Sequence, residues 1–328
     1  MHFGNGGSQR TLSSVDTATR AQPAPTPRPG TSPTGVALML GSALANQTGA
    51  AVGALAFPVI GPVGVVAVRQ WVAGVVLLAV GRPRLRAFTA RQWRPVVALA
   101  AVFAAMNLSL YTAVDRIGLG LAVTLEFLGP LSVALAGALT RGLPGRRRAA
   151  TLGCAAMAAG GVVLLVRPQP ATDHLGIGLG LLAAACWAGY ILLNRTVGAR
   201  LPGVEGSAAA GALSGLAFLP VGIVVLLAHP PTPAALACAA AAGLLSSAVP
   251  FLVDLLALRR ITAPVFGLFM SAHPVFAAAI GAVVLGEVLA GADWLAISFI
   301  VLANLGSILV RAGRDTPSRG VEPGRVRR

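Results

Sequence analysis

Long apolar stretches, broken by short polar segments, dominate the chain. Ten of them can be marked, at roughly 35–56, 62–81, 94–114, 117–139, 149–166, 175–195, 206–228, 234–257, 262–284 and 291–310. Ala, Gly, Val and Leu fill them, and most are apolar on every helical face. A membrane-spanning helix needs about 20 such residues, because each residue rises about 1.5 Å and the hydrocarbon core is about 30 Å thick. A spanning β-barrel would show shorter segments of alternating polarity, and the chain has none. Only helices and closed barrels satisfy the backbone in lipid. The pattern therefore predicts an all-α integral membrane protein with ten transmembrane helices.

The segments between the runs are mostly short, so no separate soluble domain is expected. Residues 1–34 are rich in Pro, Ser, Thr and Gly and read as a disordered tail; residues 311–328 form a second, basic tail. Ala43-Leu44-Ala45 fits a small-x-small signal-cleavage pattern. The apolar run continues past it, so a retained first span is expected.

Composition adds two points. Fifty-six per cent of the residues are hydrophobic and 11% charged, with mean hydropathy +0.80; a soluble domain carries about 25% charge. The net charge of +15 suggests an acidic partner, but position argues otherwise. All basic residues are arginine. Except for Arg69, Arg116 and Arg167, they fall in alternate segments that include both tails. The positive-inside rule then places both termini in the cytoplasm of a cell inner-membrane protein. Arg146-Arg147-Arg148 is a topology signal on this reading, and nucleic acid is excluded as a partner. Cys154, Cys186 and Cys238 lie within apolar runs at no metal-binding spacing, and no cofactor is expected.

Residues 105–142 overlay 249–286 at a constant offset of 144, with Arg116 on Arg260, Ile117 on Ile261, Pro130 on Pro274 and Gly137 on Gly281 among the identities. This predicts two five-helix repeats, 35–166 and 175–310. A repeat with an odd number of spans inserts the second time upside down. Inverted repeats that share a midplane site are a recurrent carrier design, with alternating access as their motion. The glycine pairs Gly49/Gly53, Gly176/Gly180 and Gly211/Gly215 each share a helix face and mark close helix crossings.

Ionisable residues at membrane depth are costly and are the first candidates for function. Glu126 lies near the middle of the fourth run. Pro130 removes the backbone donor to the carbonyl of residue 126, which opens a polar point beside the acid. Arg69 lies inside the second run, where its planar fork suits a carboxylate. The two are expected to pair when the site is empty; a zwitterionic substrate would then set its carboxylate on Arg69 and its ammonium on Glu126. His273 precedes Pro274 in the ninth run and reads either as a proton-exchanging group or as packing. Asp254, close to Arg259 and Arg260, reads as a gate or topology partner, and Glu287 and Asp293 as solvated loop ends. The uncharged set includes Asn46, Gln47, Asn107, Tyr111, Trp187 and Tyr190. Trp187 and Tyr190, three apart, share a face that fits a cavity wall.

Several of these residues stand in motifs. The segment Gly118-Leu-Gly-Leu-Ala-Val-Thr-Leu-Glu126-Phe-Leu-Gly-Pro130-Leu resembles the fourth-span motif of bacterial threonine/homoserine exporters, within the EamA family of the drug/metabolite transporter superfamily. Ala185-Cys-Trp187-Ala-Gly-Tyr190, Leu245-Ser-Ser-Ala-Val-Pro250-Phe, Phe266-Gly-Leu-Phe-Met270-Ser, Leu285-Gly286-Glu287 and the Phe57-Pro58 turn leading to Arg69 are similar as well. The resemblance implies a secondary carrier with no enzymatic activity, exporting small amino acids or related metabolites by proton antiport. It puts Arg69, Glu126 and Trp187 at motif positions. One departure is that the family usually has a glutamate where this chain has His273, which changes the charge of the site.

The expected partners are a small-molecule substrate, protons and the lipid bilayer, with a homodimer left open. A broad exporter of drugs, purines or other metabolites is the alternative within transport. A membrane-embedded enzyme is the remote one, since the chain shows no His-x-x-x-His and no Cys/His cluster. No phosphate-binding Gly-x-x-x-x-Gly-Lys-[Ser/Thr] occurs either, so ATP does not drive the process.

Overall fold

The computed structural model describes residues 33–140, 145–165, 173–201, 204–250, 253, 256 and 269–312. Among them the chain is helical, with no strand. The elements are α1 (Pro33–Ala54), α2 (Phe57–Gly81), α3 (Ala90–Ile117), α4 (Leu119–Glu126), α5 (Leu128–Thr140), α6 (Gly145–Leu165), α7 (His174–Gly198), α8 (Glu205–Ala228), α9 (Pro233–Gly243), α10 (His273–Ile280) and α11 (Gly291–Ala312). One π-helical turn follows α9 (Leu244–Ala248) and another follows α10 (Gly281–Leu285). Each of the ten apolar runs is helical over most of its described residues. Six helical stretches are long and apolar enough to cross a membrane: Phe57–Gly81, Ala90–Ile117, Leu119–Gly137, His174–Gly198, Glu205–Ala228 and Gly291–Val310. Asp254 lies outside the described residues.

Two runs do not form continuous helices. The fourth breaks at Phe127, between α4 and α5. Pro130 sits in the first turn of α5, where its missing N–H costs nothing because no helical carbonyl was due to receive it. In the ninth run a turn at Ser271–Ala272 precedes α10, which opens on His273 and Pro274. In lipid, interrupted backbone is tolerated only where it is buried in protein or lines a cavity. Each break therefore points to the interior of the bundle.

The bundle is held by close approach. α2 packs on α8, α3 on α7, and α6 on α11; α9 packs against α1 and α2, and α10 against α4. A methyl group on Gly215 would lie 2.8 Å from the Gln70 carbonyl oxygen, and one on Gly243 would lie 2.9 Å from that of Arg69. The three glycine pairs marked in the sequence all sit at such crossings. Gly49 and Gly53 face the α9 region, Gly176 and Gly180 face Ile117 and Leu125, and Gly211 and Gly215 face α2. Gln70 Nε2 donates to Ser214 Oγ (2.6 Å), a polar tie across the α2–α8 contact.

The two ends of the bundle differ chemically. One carries Arg82, Arg84, Arg91, Arg94, Arg195 and Arg200. There the first turn of α3 is tied to the α7–α8 loop: Gln92 Nε2 donates to the Arg200 carbonyl (3.0 Å) and Arg200 Nη1 to the Arg91 carbonyl (2.9 Å). At the opposite end, Arg116 at the end of α3 pairs with Asp173 (2.9 Å), which caps α7 by accepting the Gly176 N–H (2.8 Å). That N–H, and then the guanidinium, hold the Asp173 carboxyl below the usual carboxylate range.

Glu287 lies at the same end and is not a solvated loop residue. Its carboxylate accepts the N–H groups of Leu119 (2.5 Å) and Gly120 (3.3 Å), the first donors of α4. Those donors have no partner within the helix, and the positive end of its dipole favours an anion. The fit depends on Gly118, which alone joins α3 to α4 at φ +84°, and whose Cβ would lie 2.9 Å from the Glu287 carboxyl carbon. Gly118→Ala should therefore destabilise the protein by about 2 kcal/mol, combining left-handed strain with loss of the cap. Thermal unfolding in detergent checks this, and an unchanged midpoint would contradict it.

Candidate functional site

A cavity of about 270 Å³ lies where the broken helices meet α1, α2, α3, α7 and the π turn after α9. Asn46, Gln47, Arg69, Asn107, Glu126, Trp187, Tyr190 and His273 all line it, so eight residues singled out in the sequence come together. From this group the cavity extends toward the arginine-bearing end, where Leu77, Leu99 and Ser207 line it.

Arg69 is buried within α2 and is held from three sides. One terminal guanidinium nitrogen donates to Asn107 Oδ1, the other to the Ser246 carbonyl (3.3 Å). The guanidinium lies over the Tyr111 ring, 4.9 Å from its centroid. Asn107 in turn donates to the Phe103 carbonyl one turn back (2.8 Å), which fixes the orientation of its amide. Nε of Arg69 is buried without a hydrogen-bond partner among the described residues. A guanidinium has five N–H donors in a planar fork, so the side chain is fixed in place while donor capacity remains.

Glu126 is the last residue of α4, 8% exposed, and no hydrogen bond from a described residue reaches its carboxyl. The expected pairing of Arg69 with Glu126 is not found. The two face one cavity without forming an ion pair, because Asn107 and a backbone carbonyl take the arginine instead. Arg69 thus meets a backbone carbonyl and lines the cavity at once.

Aromatic rings build the wall beside the acid. Phe127, at the helix break, meets Trp187 edge-on at 4.6 Å and lies 5.6 Å from the His273 ring. A residue at a break points its side chain where a continuous helix would not, so Phe127 was not marked by periodicity. Tyr190 stacks obliquely on Phe103 at 5.9 Å. His273 is fully enclosed, with Nδ1 3.1 Å from Gln47 Nε2. Pro130 and Pro274 belong to the helix starts beside these breaks and do not line the cavity.

Tyr111 departs from its expected role. It is 1% exposed, stands behind Arg69 and does not line the cavity. Its hydroxyl is buried without a partner among the described residues. Ser246 and Ser247 line the cavity as well; the adjacent serines within an apolar run were the available signal. Ser246 supplies its carbonyl to Arg69, while its hydroxyl donates to the Asn46 carbonyl of α1 (2.8 Å). Among the described residues no group of His, Cys, Asp and Glu is arranged to hold a metal ion.

The fold and site define a helical integral membrane protein with a small cavity among its helices that carries a few charged and polar groups. The chain belongs to the EamA-like transporter family, which matches it over residues 174–309. It is 33% identical over 270 residues to the threonine/homoserine exporter RhtA of Salmonella typhimurium (strain LT2), covering 80% of this chain and 87% of that protein. To the threonine/homoserine exporter RhtA of Escherichia coli (strain K12) it is 32% identical over 281 residues, covering 84% and 91%. A solved crystal structure superposes with TM-score 0.55 at 19% identity, over 86% of this chain and 99% of that one. That likeness is one of fold.

The Tyr111 geometry separates ring from hydroxyl. Tyr111→Phe should change stability by less than about 0.5 kcal/mol, since no hydrogen bond is lost. Tyr111→Leu removes the face beneath the guanidinium and should cost about 1–3 kcal/mol. Thermal shifts of the two purified variants check this; equal losses would mean that the hydroxyl, not the ring, is what matters.

Proposed function

We propose that this protein is a secondary carrier of the cell inner membrane that exports small amino acids of the threonine or homoserine kind by proton antiport. The observation that carries the reading is the cavity itself, which holds one fixed cation, Arg69, and one acid, Glu126, with no salt bridge between them. A zwitterion fits that arrangement, its carboxylate on the remaining guanidinium donors and its ammonium on Glu126. The volume of about 270 Å³ lies below the range of about 300–1,000 Å³ typical of sites for drug-sized ligands. Size therefore favours a small metabolite over a bulky drug. The names of the related exporters support the same class.

Direction and motion follow from the same features. With the arginine-bearing end in the cytoplasm, both termini are cytoplasmic and the cavity extends toward the side from which an exported compound loads. Two inverted repeats, 35–166 and 175–310, would supply the alternating motion. The helix partnerships support this division. Exchanging the halves sends the α3–α7 contact onto α9–α1 and the α3–α8 contact onto α9–α2, and it returns α2–α8 and α6–α11 to themselves. The helix breaks at Phe127 and Ser271 are related by the same offset, and the Gln70–Ser214 hydrogen bond joins residues 144 apart, as a contact on a two-fold axis does.

Proteoliposomes with an imposed pH gradient test the coupling. Glu126→Gln should abolish gradient-driven uptake of threonine or homoserine while the protein still reconstitutes, and normal gradient-driven flux would sink the role of the acid. Arg69→Lys keeps the charge but loses the fork. It should lower transport of carboxylate-bearing substrates by about tenfold, and an unchanged substrate profile would count against the clamp.

A further inference from the structure

The two ring nitrogens of His273 have different surroundings. Nδ1 is met by the Gln47 side-chain amide nitrogen at 3.1 Å. Nε2 is buried and has no hydrogen-bond partner among the described residues. A primary amide nitrogen only donates, so in this contact Nδ1 accepts. A ring whose Nδ1 accepts carries its single proton on Nε2. The result is a desolvated N–H donor with nothing to bond, on a residue that lines the cavity. Phe127, 5.6 Å away and inclined by 33°, packs beside the ring and limits its rotation. Buried polar groups without partners are uncommon and expensive, and one in the wall of a cavity points to a ligand that satisfies it.

The chemistry of that ligand group is restricted. On the reading above, the α-carboxylate belongs to Arg69 and the ammonium to Glu126, which leaves His273 for the side chain. A neutral N–H donor pairs with an oxygen acceptor. An aliphatic side chain leaves it unpaired, and an amine brings only donors. We propose that Gln47 is a positioning residue that holds His273 in its Nε2–H form, and that this N–H recognises a hydroxyl oxygen on the side chain of the transported amino acid. The proposal rests on the amino-acid reading of the cavity.

Threonine and homoserine both become 2-aminobutyrate on losing the hydroxyl, so one compound serves as the control for both. The full-length carrier in proteoliposomes is assayed for the ratio of hydroxylated to deoxy substrate transported. A ratio is independent of how much of each variant is folded. The wild type should favour threonine or homoserine over 2-aminobutyrate by about tenfold, the scale of one buried hydrogen bond. His273→Asn, whose amide reaches only the Nδ1 position, should bring the ratio close to one. Gln47→Leu, which releases the tautomer, should lower it by several-fold. His273→Gln, which restores a donor near the Nε2 position, should keep most of the preference.

An unchanged ratio in His273→Asn, or a wild-type ratio near one, overturns the hydroxyl assignment while the amino-acid reading stands. A lowered ratio in His273→Asn without any change in Gln47→Leu removes Gln47 from the proposal. A wild type that carries none of the three compounds sinks the amino-acid reading and this inference with it.

Discussion

A guanidinium buried among membrane helices has to be partnered, and the arrangement around Arg69 depends on how that is done. The partners come from separate elements: an amide on α3, a carbonyl in the π turn after α9, and the face of a tyrosine one turn along α3. The residue that supplies the carbonyl also bonds the backbone of α1. Four segments distant in sequence are thereby fixed around one charge. None of these partners is a carboxylate, so the guanidinium is held without a direct ion pair to the acid that faces the same cavity. An arginine satisfied by an ion pair would have filled the site with its own counter-ion.

Small residues make this economical arrangement of charge sterically feasible. Hydrophobicity does not drive one helix against another within lipid, so association depends on close packing and on polar ties. Gly243 lets the chain pass directly over the backbone of Arg69, and Gly129 brings α5 against the backbone of α7 beside Trp187. Both close approaches lie beside residues that line the cavity. Its walls are held by backbone contact, and large side chains are left free to shape the space, as Phe127, Trp187 and Tyr190 do.

Much of this was legible in the sequence because a charge in an apolar run is conspicuous. Arg69, Glu126 and His273 could be picked out without a structure, and so could the spans, whose length the bilayer dictates. The fourth-span motif identified the family. What remained hidden has a common physical character. The Ser246 carbonyl is a backbone group and leaves no mark in residue type. Glu287 looks like any loop acid until the chain returns it to the start of α4. Phe127 owes its position to a helix break, which periodicity does not predict. The expected pairing of Arg69 with Glu126 failed for a related reason: opposite charges in sequence suggest each other, whereas amides and carbonyls that outcompete them go unnoticed. Tyr111 was placed one layer too far inward, because polarity alone does not distinguish a residue facing a cavity from one supporting its wall.

Helix α4 is a rod of eight residues, about 12 Å long at the usual rise, with no glycine or proline between Gly120 and its end to let it bend. A carboxylate grips its first turn, and its last residue is the acid of the cavity. A stiff strut transmits displacement from one end to the other. Glu287 and Glu126 thus stand at the two ends of one short rigid helix, so the buried acid is tied through α4 to a contact that lies outside the cavity altogether.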